Sequence, residues 1–87
     1  MNKLITKNLL NDFLQNGEGN GVLEAELSDL LTYNTFLYRS VDVFVSAIDF
    51  FRKIVIVNSC DDSSISEDGE FECVPLTFRQ FISECLQ

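Results

Sequence analysis

The chain has 87 residues, is 46% hydrophobic and 11% aromatic, and sets 14 acids against 6 bases with no His, for a net charge of -8. That length is one domain, and that apolar content builds a core and excludes a disordered chain. The charge opposes phosphate backbones and anionic membranes and favours basic partners, while the missing His removes the usual general base.

Residues 2–15 read as a helix, with Ile5, Leu9, Phe13 and Leu10, Leu14 at spacings of four and Asn2 as N-cap. Residues 16–21, Asn-Gly-Glu-Gly-Asn-Gly, hold three of the four glycines and form a loop. No Lys-Ser or Lys-Thr follows them, so they are no phosphate cradle. Residues 22–32 read as a second helix, with Leu23, Leu27, Leu30 and Leu31 on one face and Glu24 and Glu26 near its positive end. Tyr33-Asn34-Thr35 is a short turn.

Residues 36–51 read as a third helix. Leu37, Val41, Phe44, Ile48 and Phe51 alternate spacings of four and three, beside a second stripe of Val43, Ala47, Phe50 and Ile54. The β-branched Val41, Val43 and Val45 suit a strand instead, but length and the double stripe favour helix. Its polar edge carries Arg39, Asp42, Ser46, Asp49 and Lys53, with Asp49 and Lys53 spaced to pair. Two carboxylates there oppose reading of a DNA major groove. On a helix, Asp42 and Asp49 stand roughly 10 Å apart, too far to share a proton.

Residues 53–58 read as a strand through Ile54-Val55-Ile56-Val57, and the alternation at 70–74 reads as a second, ended by Pro75. Between them lies an acidic loop with Asp61, Asp62, Glu67 and Asp68. Counting Asp61 as the first position of an EF-hand puts Glu72 at the twelfth. Ile65 and Ser66 then stand where an oxygen ligand and a Gly are required, so calcium is rejected. Residues 77–86 read as a last helix with Phe78, Phe81, Ile82, Cys85 and Leu86 on one face and Thr77 as N-cap. The predicted architecture is a single α+β domain: three helices, a wing-like β-hairpin and a C-terminal helix.

Cys60, Cys73 and Cys85 are odd in number and irregularly spaced. They read as reduced thiols of a cytoplasmic protein, with Cys73 and Cys85 in the core; a Cys60–Cys73 bridge across the hairpin is the alternative. No Cys-x-x-Cys is present, and no metal or other cofactor is expected. The apolar stretch 41–57 is broken by Asp42, Asp49, Arg52 and Lys53, so no membrane span is expected.

The segment Leu27-Ser28-Asp29-Leu30-Leu31, the turn at Tyr33-Asn34, Tyr38-Arg39 and the run Ala47-Ile48-Asp49-Phe50-Phe51-Arg52-Lys53-Ile54-Val55 resemble winged-helix proteins. More narrowly, they are similar to the small middle components of bacterial ABC-type three-component defence systems, where a winged-helix subunit accompanies an SMC-like ATPase. The resemblance spans about a third to a half of the chain. Arg52-Lys53 stand where that family usually has a Gly at the helix-to-strand corner. The resemblance implies a scaffolding role and carries over no catalytic residue.

The expected function is therefore a non-enzymatic protein-interaction module, a small subunit of a bacterial nucleic-acid-processing or anti-phage assembly, alone or as an oligomer within it. Its partner would be larger and basic or nucleic-acid-binding, with no direct contact to nucleic acid or membrane. Phe36, Tyr38, Ile54 and Ile56 would supply apolar contact, with Tyr33 and Leu37 beside them, and the 54–57 run could pair with a partner strand. Asp42, Asp49, Asp61, Asp62, Glu67 and Asp68 would select a basic surface. The alternative is an acidic inhibitor that imitates nucleic acid and blocks a basic groove. A DNA-binding regulator is a third reading, with only Lys3, Lys7, Arg39, Arg52, Lys53 and Arg79 to serve it.

Overall fold

The computed structural model describes residues 3–16, 20–60 and 72–86. The chain runs α1 (Lys3–Asn16), α2 (Gly21–Thr32), β1 (Thr35–Tyr38), β2 (Val41–Asp49), β3 (Ile54–Ser59), β4 (Val74–Thr77) and α3 (Phe78–Cys85). The four strands form one antiparallel meander in the order β1-β2-β3-β4. The domain is α+β, but the order of its elements differs from the winged-helix expectation: two helices, then the whole sheet, then one helix.

The first two helices lie close to where periodicity puts them. α1 buries Thr6, Leu10 and Phe13, and α2 buries Leu27 and Leu31. The Asn20 side chain caps α2 by accepting from the Leu23 amide at 3.2 Å. At its far end, the Asn34 side-chain amide donates to the Leu30 carbonyl at 2.8 Å. α3 begins with a reciprocal cap. The Gln80 amide donates to Thr77 Oγ1 at 3.1 Å, and the Thr77 amide donates to Gln80 Oε1 at 2.9 Å.

The expected helix over 36–51 is instead the hairpin β1–β2. Arg39 and Ser40 both take positive φ, 52° and 66°, which makes the two-residue turn whose twist matches a hairpin. The Arg39 guanidinium sits 5.1 Å from the Tyr38 ring centre. Phe36, Tyr38, Val43 and Val45 are buried, with Val41 and Ile48 packed beside them. Those inward residues are spaced two apart except in two places. One is the turn; the other is a bulge at Ser46, where Val45 faces Val57 but Ala47 already faces Ile56. The helical stripe read from sequence had mixed inward Val41 and Ile48 with outward Leu37, Phe44 and Phe51. The Asp49–Lys53 pairing expected on that helix is absent among the described residues; Asp49 pairs with Arg52 instead.

The later elements also shift. β3 matches the expected strand, but it lies between β2 and β4, so it offers no free edge to a partner. The strand expected at 70–74 is β4 at Val74–Thr77, and Pro75 lies inside it rather than ending it. A proline is tolerated there because β4 is the last strand of the sheet. Residues 70 and 71 lie outside the described residues.

All three helices cover one face of the sheet. Three rings tie them to it: Phe13 of α1 and Phe78 of α3 lie 5.7 Å apart, and Phe50 lies 5.3 Å from Phe13 and 6.0 Å from Phe78. Phe36 meets Phe81 edge-on at 4.9 Å. No buried side-chain polar atom among the described residues lacks a hydrogen bond.

Deleting Ser46 removes only the extra residue of the bulge. Every inward side chain keeps its face, and urea unfolding should show a loss of about 1 kcal/mol, mainly its hydrogen bonds. Deleting Phe44 also absorbs the bulge, but it turns Val45 outward and Ser46 into the core, and should cost more than about 3 kcal/mol.

Candidate functional site

Among the described residues, no element covers the face of the sheet away from the helices. Register sets its neighbours. Leu37 stands opposite Asp42, Thr35 and Asn58 flank Phe44, Ile56 lies between Ala47 and Pro75, and Ile54 lies between Asp49 and Thr77. Leu37 is 51% exposed and Phe44 40%. Ile54 and Ile56 are half-buried. A shallow hollow of about 320 Å³ opens here, lined by Ala47, Ile48, Asp49, Arg52, Ile54, Ile56 and Pro75.

Beside the hollow, the β2–β3 turn presents Phe51 at 86% exposure. The turn is held at several points. Asp49 Oδ1 accepts from the Arg52 amide at 2.9 Å, and Asp49 Oδ2 lies 3.9 Å from Arg52 Nε. Lys53 takes a φ of 58°, and its carbonyl accepts from the Phe78 amide at 2.9 Å. Phe50 is drawn inward to the ring cluster, which leaves Phe51 projecting. A ring on a held turn loses little freedom on binding, and burying it is worth about 1.5–3 kcal/mol.

The bulge is fastened by polar contacts on the same face. Asn58 Nδ2 donates to Ser46 Oγ at 2.7 Å, Ser46 Oγ donates to the Ile56 carbonyl at 3.3 Å, and Asn58 Oδ1 accepts from the Cys73 amide at 2.7 Å. Asn58 thus links β2, β3 and the approach to β4.

Of the residues expected at an interface, Asp42, Asp49, Ile54 and Ile56 share this face. Phe36 and Tyr38 do not belong to it: both are buried under the helices, because their strand alternates and points them inward. Asp61, Asp62, Glu67 and Asp68 lie outside the described residues. Asp42 and Asp49 are roughly 20 Å apart by strand rise, with Phe44 and Ala47 between them. Phe44 and Phe51, read from sequence as part of the apolar stripe of a helix, and Pro75, read as the end of a strand, belong to this surface instead. The signal that could have found Phe51 was Asp49, a turn-initiating residue, standing between two apolar β-rich runs.

Among the described residues no three His, Cys, Asp or Glu side chains gather as metal ligands, and no helix is long and apolar enough to cross a membrane. All three cysteines are free thiols. Cys73 is exposed rather than in the core, because it precedes β4 in a left-handed conformation of φ 51°. Burial, then the nearby Asp42 charge, pushes the Cys60 thiol up, which makes it a poor nucleophile at neutral pH. Cys85 is pushed up to about 12 by burial and then by Glu84, against an opposing effect of Lys3. The chain matches no family model, and neither a curated protein nor a solved structure matches it.

At neutral pH, iodoacetamide should label exposed Cys73, label Cys60 more slowly because its thiol is pushed up, and reach Cys85 only on unfolding, as read by mass spectrometry. Because the folded Cys85 thiol titrates near 12 rather than 9.0, its contribution to stability is complete below pH 9. It is lost as pH rises toward 12. Cys85→Ala should flatten that alkaline loss in urea unfolding.

Proposed function

We propose that this chain is a non-enzymatic docking module that buries the open face of its sheet on a larger protein, with Phe51 as the anchor. The observation that carries the reading is Phe51, 86% exposed on a fastened turn beside an apolar hollow. Antiparallel sheets with one free face usually place polar residues there. Here Leu37, Phe44, Ala47, Ile54, Ile56 and Pro75 occupy it. Aromatic residues that fill a partner's pocket supply most of the binding energy of such contacts.

The partner is basic. Asp42 and Asp49 mark two ends of the apolar strip, and the net charge of -8 steers a basic surface toward it. The resemblance of the 27–31 and 47–55 segments to small defence-system components supports a place in a nucleic-acid-processing or anti-phage assembly. It rests on sequence motifs alone. The winged-helix version of that resemblance needs a third helix that is a hairpin in this chain, so recognition of DNA by that segment forms no part of the proposal.

The test is capture of partners from the native host by the tagged protein, washed at low and high salt. The wild type should retain a partner at high salt, whereas Phe51→Ser and Phe44→Ser should each lose it about tenfold or more while melting normally. A partner lost at high salt and displaced by duplex DNA would replace this reading with that of an acidic inhibitor imitating nucleic acid.

A further inference from the structure

The helices carry a second surface of a different character. Where the flanks of α1 and α2 meet, Ile5, Leu9 and Leu30 floor a groove of about 420 Å³, and Glu26 and Asp29 stand on its rim. Ile5 is 52% exposed. These residues lie beside the core stripe, and Leu9 also packs against the core from its edge. On α1 they stand roughly a quarter turn from the buried Thr6, Leu10 and Phe13, and Leu30 and Glu26 are similarly offset from Leu27 and Leu31 on α2. Among the described residues no basic side chain lines the groove.

We infer that this groove docks a basic amphipathic helix from a partner protein. The shape selects a helix. The lining spans one turn of each helix, Ile5 to Leu9 on α1 and Glu26 to Leu30 on α2, so the apolar floor is roughly 6 Å long at 1.5 Å per residue, the rise between apolar residues four apart on a helix. One or two turns of a third helix pack there by setting an i, i+4 ridge against the Ile5–Leu9 row. The charge selects a basic one. Leu or Ile at spacings of three and four would fill the floor, and Lys or Arg beside that stripe would reach Glu26 and Asp29. A second copy of this chain is a poor occupant, because it would bring its own charge of -8 against the same acids. This surface is separate from the open sheet face, so one chain joins two partners or two parts of one partner.

The experiment is an NMR titration of the labelled protein with a synthetic peptide of roughly 18 residues, Leu on one helical face and Lys elsewhere. Shifts should concentrate at the amides of Ile5, Leu9, Glu26, Asp29 and Leu30. The doubly reversed E26K/D29K protein, changed only on the groove rim, should bind at least about tenfold more weakly. The D42K/D49K protein, altered on the sheet face, should stay within about twofold of the wild type. Replacing every Lys of the peptide by Glu should abolish saturable binding. Shifts centred elsewhere, equal binding of the Glu peptide, or an E26K/D29K affinity within about twofold of the wild type would each overturn the inference. None of these outcomes bears on Phe51, so this surface and the sheet face stand or fall separately.

Discussion

The contact on which the rest of the structure depends is the ring cluster of Phe13, Phe50 and Phe78. It joins α1, the β2–β3 turn and α3, three parts of the chain that sequence alone would not bring together. Edge-on aromatic contacts add about 0.5–1.5 kcal/mol each beyond the area they bury. The backbone bond from Phe78 to the Lys53 carbonyl fixes the same junction. By holding Phe50 inward, the cluster decides the fate of its neighbour. Adjacent residues at the tip of a tight turn cannot both face the core, so Phe51 stands in water.

The second constraint is that every helix lies on one side of the sheet. The described residues hold three helices, and two of them follow each other directly in sequence before the sheet. Among the described residues nothing covers the sheet's other face, where Leu37, Phe44, Ala47, Ile54, Ile56 and Pro75 give it an apolar strip. The two outer strands are treated differently. β4 carries Pro75, which cannot donate to a further strand and blunts that edge, while β1 ends in the strained Arg39–Ser40 turn. Both surfaces suited to partners, the open face and the α1–α2 groove, are therefore broad rather than edge-like.

The helices were legible because their signals are local. Leu10 with Phe13, Leu27 with Leu31, and the Thr77-to-Gln80 cap all act within one or two turns. The stretch 36–51 was not legible, because two local features each inserted a spacing of three into a strand pattern. The turn at Arg39–Ser40 lacks the Asn-Gly or Asp-Gly that usually announces such a hairpin. The bulge at Ser46 has no sequence mark at all, since its side-chain hydrogen bonds are with Asn58 and the Ile56 carbonyl, both on the next strand. Outward Leu37, Phe44 and Phe51 then fell seven apart and completed a false helical face. The candidate surface was half legible for the same reason. Asp42, Asp49, Ile54 and Ile56 were named and do share a face, whereas Phe36 and Tyr38 were assigned outward because their strand was taken for a helix.

The central claim is that the open sheet face is covered by another protein when the chain is at work. The most direct measurement is photo-cross-linking in the native host with a benzophenone amino acid placed at position 44 on that face or at Ser83 on α3. The account predicts one dominant protein adduct from position 44 and little from position 83. Equal labelling from the two positions, or adducts from position 83 alone, would contradict it.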